Sequence, residues 1–185
     1  MDRRIERTKS SIINAFLQLR SVKDLEKISV KELCAKADIN KSTFYTHYQD
    51  IYDLSEQLEH QVAADILEEV GHPEYLFTHP ERFTRELYYA YLAREHLIHI
   101  LFSGSRSSLL IVRIESSLKE SISRSYPAFQ EDAVANTLLT LEIYGEFYAF
   151  MKCRHFGDET VINILCAHCQ QSVGLLKSMG YEFTI

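Results

Sequence analysis

The sequence predicts an all-α protein, and three observations carry that prediction. Apolar residues recur at three- and four-residue spacing along most of the chain, the period of one helix face. Six glycines and three prolines in 185 residues are few. They fall mainly between the periodic stretches, where they punctuate rather than interrupt. No alternating apolar–polar run is sustained, and only the tail, residues 181–185, admits a short strand. The expected architecture is about nine helices. An N-terminal three-helix unit over residues 1–52 is joined through a helix over 51–70 to a helical unit over 71–185.

The first helix is expected over residues 3–19, with Ile5, Ile12, Phe16 and Leu19 on its apolar side. Residues 22–27 connect it to the next. Ser29 and Glu32 form an S-x-x-E capping box at a helix start. Val30, Leu33, Cys34 and Ala37 then give one apolar face over two turns. Asp38-Ile39-Asn40 breaks that run, because Asp and Asn favour turns, and Ile39 plugs the gap between the helices. Asn40 is placed to cap a short helix over residues 41–47, anchored in the core by Phe44 and Tyr48. Asp50 caps the next helix, and Asp53 suits its positive first turn. That helix carries Ile51, Leu54, Leu58, Val62 and Ile66 at helical spacing and ends near Gly71.

Gly71-His72-Pro73 and His79-Pro80 mark the domain boundary. Beyond it the spacing predicts a helix over residues 81–103 that breaks near Arg94, a Ser-rich loop over 103–108, and a helix over 109–126 that Pro127 ends. Long helices follow over residues 131–155 and 159–179, separated by Gly157-Asp158 and closed by Gly180.

Residues 29–54 thus read as a helix-turn-helix opening into a further helix, an arrangement that presents a short helix to the major groove of DNA. A helix-turn-helix outline alone also occurs in proteins that never touch DNA. The run Thr43-Phe44-Tyr45-Thr46-His47-Tyr48 makes this one specific. Charge agrees. Residues 1–50 hold ten Lys/Arg against seven Asp/Glu, a net +3, so the remainder carries −9 of a chain whose total is −6. That asymmetry suggests a nucleic-acid face on an acidic body. Arg3, Arg4, Arg7 and Lys9 form a basic arm that can reach phosphates or a minor groove. The plainer reading of the arm is a solvated terminus.

At Lys41-Ser42-Thr43-Phe44-Tyr45-Thr46-His47-Tyr48-Gln49-Asp50 the chain resembles the TetR family of transcriptional regulators. The resemblance covers residues 5–60, and the rest agrees only in length and helical pattern. It implies a homodimer on a double-stranded operator, usually a repressor released by a small molecule. It implies groove-facing roles for Thr43 and Tyr45, with Lys41, Ser42 and Thr46 setting sequence preference. His47 and Tyr48 match positions that touch phosphate or lock the helix. Ser29, Arg3 and Arg4 complete the expected DNA-binding set. Gln49 and Ile51 stand where relatives often carry a basic residue. The resemblance therefore implies weaker binding or a larger share for the N-terminal arm.

The second half offers two further readings. Val134, Leu138, Leu141 and Tyr148 mark one face, and Val161, Leu165, Cys169, Val173 and Leu176 another. Together they are the expected dimer interface, the alternative being that both pack inside one chain. The body is also rich in aromatic residues. Tyr88, Tyr91, Phe102, Tyr144, Phe147 and Tyr148 are the candidate lining of an effector pocket of unknown ligand, with Arg85, Glu86, Glu142, Glu146, His96 and His99 as candidate polar groups. The plain alternative is that they are simply core. Cys166 and Cys169, with His168, Cys153 and His155, admit a metal or thiol sensor, but buried cysteine is also a small hydrophobe. No cofactor or resident metal is expected.

Composition excludes other classes. No stretch approaches the ~18–20 apolar residues of a spanning helix, so no membrane partner is expected. The N-terminus lacks an apolar signal region, and four cysteines are expected as reduced thiols. The expected location is cytoplasmic. No nucleophile motif, phosphate-binding glycine loop or paired acid–base set points to an enzyme. The competing function is a partner-driven co-activator, or a nucleoid-associated factor, on the same scaffold without an effector.

Overall fold

The computed structural model describes residues 3–72 and 74–181. Among these are ten α-helices, four short 3₁₀ turns and no strand. The helices are α1 (Arg3–Arg20), α2 (Val30–Ala37), α3 (Lys41–Tyr45), α4 (Ile51–Val70), α5 (Tyr75–Thr78), α6 (Pro80–Ala93), α7 (Glu95–Leu101), α8 (Leu109–Ser125), α9 (Ala133–Cys153) and α10 (Asp158–Ser178). The all-α expectation holds. Residues 182–185 of the expected strand lie outside the described residues, and Tyr181 is in no strand.

The chain forms two compact units. One comprises residues 3–62 with Glu95–Leu110, the other Ala63–Arg94 with residues 111–181. The division falls inside α4 rather than at residue 71, and α7 belongs with the N-terminal helices.

In the first unit α1 packs on α2 and α7, and α2 packs on α3. Its core is Ile12, Phe16, Leu25, Leu33, Phe44, Leu54, Ile98, Leu101 and Phe102. Burying a side chain of this size is worth roughly 1.5–3 kcal/mol. Charged groups inside it are hydrogen-bonded. The Arg20 guanidinium donates to the Lys23 and Ser103 carbonyls at 3.0 Å each. Glu59 on α4 is fully buried and accepts from the Arg106 guanidinium and from the Ser55 hydroxyl at 2.8 Å.

In the second unit α10 packs along α6 and α9, and α5 packs on α6. Val70, Leu76, Phe77, Phe83, Leu118, Ile122, Phe129 and Leu139 form one core cluster. Pro80 opens α6, where its missing N–H costs nothing. The Asp132 carboxylate caps α9, accepting from the Ala135 N–H at 2.9 Å. Gly157, at φ 99°, turns the chain between α9 and α10 in a conformation that suits glycine.

One expectation is corrected here. The stripe Val161, Leu165, Cys169, Val173 and Leu176 is buried within its own chain, and α6 and α9 are the helices α10 packs along. It is therefore not the outward face of α10. The helical stretch expected over 81–103 is two helices, α6 and α7, parted at Arg94 where the break was expected.

Candidate nucleic-acid interface and internal cavity

The helix-turn-helix is fixed by short-range hydrogen bonds. Ser29 caps α2, its hydroxyl accepting from the Glu32 N–H at 3.2 Å. Asp38 ends α2 at φ 54°, ψ 48°, a left-handed conformation that Asp tolerates better than most residues. Asn40 then caps α3. Its Oδ1 accepts from the Thr43 N–H at 2.8 Å, the Ser42 hydroxyl at 2.6 Å and the Thr43 hydroxyl at 2.8 Å.

Phe44 is fully buried, and its ring lies 5.7 Å from that of Tyr48, centroid to centroid. The pair roots α3 in the first unit's core. Burial also pushes the Tyr48 phenol above its ordinary value. Tyr48 is thus the core anchor expected of it, and of the two roles the resemblance implies its burial favours locking the helix over touching phosphate. On the other side Lys41, Ser42, Tyr45 and Thr46 are exposed, with Thr43 and His47 half-buried. Tyr45 stands 56% exposed although it is a large aromatic residue.

The internal bonds rank these groups. The hydroxyl protons of Ser42 and Thr43 are committed to Asn40, and that of Thr46 to the Thr43 carbonyl at 2.7 Å. These three offer a ligand only acceptor oxygens. Lys41 and Tyr45 keep their donors. Arg3 and Arg4 are exposed at the start of α1. At the start of α4, Asp50 and Asp53 cap reciprocally: Asp53 N–H donates to Asp50 Oδ1 and Gln49 N–H to Asp53 Oδ2, both at 2.8 Å. The Gln49 N–H holds the Asp53 carboxyl below its usual value. The charge pattern showed Asp53 only as a first-turn acid. The bond to Gln49 closes the corner after the α3 segment.

In the second unit Tyr88, Tyr91 and Phe147 line a cavity of about 50 Å³ together with Leu87, Thr84 and Ile114. Tyr88 and Tyr91 both pack on Phe150, at 4.5 and 5.8 Å. The other three expected lining residues are corrected. Phe102 is buried in the first unit. Tyr144 and Tyr148 are outside this lining, and Tyr148 is exposed. The polar end of the cavity is Glu142, Glu146 and Cys169. The two glutamates are among the polar groups the sequence offered for the pocket, and only Cys169 was missed. Burial, followed by the charge of Glu142, pushes the Glu146 carboxyl up to about 8. Burial pushes the Cys169 thiol up to about 12.

The cysteines do not assemble a site. The Cys166 thiol donates to the Glu81 carbonyl at 3.2 Å. Among the described residues Cys153, His155, Cys166 and Cys169 form no cluster within metal-ligating reach. No single described helix is long and apolar enough to cross a membrane.

No protein-family model matches the chain, and no solved structure does. Among curated proteins the chain is similar to an uncharacterized HTH-type transcriptional regulator, YxbF, of Bacillus subtilis (strain 168). The two are 30% identical over 69 residues, which is 37% of this chain and 18% of that relative.

Proposed function

We propose that the chain is a DNA-binding transcriptional regulator of the TetR type that reads a palindromic operator as a homodimer. One observation carries the reading. A short helix rooted by Phe44 and Tyr48 and capped by Asn40 turns Lys41, Ser42, Tyr45 and Thr46 outward. Side chains of this kind on a helix of this kind are what a major groove accepts. The similarity to a helix-turn-helix regulator supports it.

The dimer is proposed on α9 and α10. Leu141 is 63% exposed and Ile164 62%, and Tyr148 and Leu175 are also outward. Gly145 and Gly174 leave open space beside them, where a second helix can approach closely. An exposed apolar face of this kind is covered most simply by a second copy, which also supplies the second recognition helix that a palindrome requires.

In the repressor form of the reading, a small molecule entering the aromatic cavity favours a dimer geometry unable to hold the operator. The cavity volume of about 50 Å³ favours a second reading. Ligand pockets are usually ~300–1,000 Å³, so a partner protein rather than an effector would set the state.

Selection from a pool of random duplexes tests the proposal. Enrichment of two inverted half-sites about one helical turn apart, ~34–36 Å, supports it. A pool that stays random through selection overturns sequence-specific reading.

A further inference from the structure

We propose that Glu142, Glu146 and His168 form a binding site for a divalent first-row cation of the zinc class. Glu142 and Glu146 are one turn apart on α9, and His168 faces them from α10. His168 Nδ1 lies 3.2 Å from Glu142 Oε2 and 3.7 Å from Glu146 Oε1. One ligand atom from each residue falls within 4.8 Å of the others. Ligands on one ion with bonds of about 2.0–2.2 Å stand roughly 3–3.5 Å apart, which the two His168 contacts approach.

A second observation points the same way. Glu146 is only 9% exposed. Its Oε1, and Oε2 of Glu142, are buried and have no hydrogen bond among the described residues. The contacts to His168 are close but lack hydrogen-bond alignment. A buried carboxylate oxygen without a donor costs on the order of several kcal/mol when charged, and here two point into one space. A proton shared between the two carboxylates also satisfies both oxygens, but it leaves the imidazole nitrogen out. A dication satisfies both and also takes the imidazole nitrogen.

The donor set selects the ion. Two carboxylates and one imidazole suit zinc, manganese or ferrous iron better than the hard cations magnesium and calcium, which prefer oxygen alone. Three protein ligands leave a position for water or a ligand atom. In the single chain there is also a way in, on the face that the proposed dimer would cover. His168 is 58% exposed, on a groove of about 440 Å³ between α9 and α10, lined by Leu141, Gly145, Ala149 and Ile164. Glu142 and Glu146 reach from that groove to the aromatic cavity with Tyr88, Tyr91 and Phe147. A bound cation therefore sits at the boundary of the two and pins α9 to α10.

The test uses the full chain, stripped with a chelator and titrated with Co²⁺ or Zn²⁺ alone. The expected result is one ion per chain, a raised melting temperature, and visible cobalt bands without the intense near-ultraviolet band of thiolate ligation. His168→Ala, a change at a side chain exposed in the single chain, weakens binding by at least about tenfold. Glu146→Gln does the same. Three results overturn the site: no saturable binding by the wild type, a thiolate band, or equal binding by wild type and His168→Ala.

Discussion

Arg106 grips Glu59 through both carboxylate oxygens, with Nη2 donating to Oε2 at 2.6 Å and Nε donating to Oε1. The pair joins the 3₁₀ turn Gly104–Arg106 to α4 inside the first unit, and Glu59 has no exposed surface. Removing the cation leaves a buried carboxylate without its guanidinium partner, with the Ser55 hydroxyl still donating to it. Arg106→Ala is therefore expected to cost about 3 kcal/mol or more, read from urea unfolding of the full chain. Replacing both members, as in Glu59→Leu with Arg106→Met, is expected to cost less than Arg106→Ala alone. Equal losses would mean that the pair is not what stabilises the turn.

Asn40 accepts three hydrogen bonds at the start of α3, one of them from a helix N–H. Asn40→Ala is expected to lower stability by about 1 kcal/mol, the usual worth of an N-cap. Asn40→Asp keeps the acceptor and should lose far less. Unfolding curves for the two variants separate the outcomes, and identical curves would show that the cap contributes nothing.

The apolar faces of α9 and α10 divide by burial, which gives a paired prediction. Leu141→Glu changes an exposed side chain. It is expected to leave the fold intact and weaken the dimer by about 30-fold, a loss of ~2 kcal/mol at an interface centre. Val173→Glu puts a charge into the chain's own core and is expected to unfold it. Light scattering after size exclusion, with circular dichroism, distinguishes them. A monomeric wild type would remove the proposed interface.

Cysteine reactivity follows burial. Cys34, Cys166 and Cys169 are buried, and Cys153 is half-buried. Burial raises all three buried thiols, Cys169 to about 12, so almost no thiolate is present near neutral pH. Iodoacetamide at neutral pH is expected to label Cys153 first in the native protein and the others only in urea. Rapid native labelling of Cys169 would contradict this account of the second unit.

Much of this was legible in the sequence because it is local. Ser29, Asp38, Asn40 and Asp50 are short-range signals, and the helices they bound start and stop within a residue or two of expectation. Helix α5 was missed because four residues cannot display a period. The stripe on α10 was recognised, but a stripe does not say what covers it, and α6 and α9 of the same chain do. Phe102 looked like a cavity residue because it is aromatic. Its place in the first unit depends on α7 packing on α1, a long-range contact. His168 lies 22 positions after Glu146. Only the α9–α10 turn brings them together, so spacing could not have found that cluster.

The central claim is that Lys41 and Tyr45 read bases. Fluorescence anisotropy tests it most directly, with the duplex lying just upstream of the chain's own coding sequence and a scrambled duplex, at two salt concentrations. Wild type is expected to hold the native duplex more tightly at both salts. Lys41→Ala and Tyr45→Ala are each expected to lose about 1–3 kcal/mol there, with Tyr45→Ala leaving scrambled binding unchanged. Equal, steeply salt-dependent binding to both duplexes, unaltered in pattern by either variant, would mean that this face touches phosphates alone and would contradict the claim.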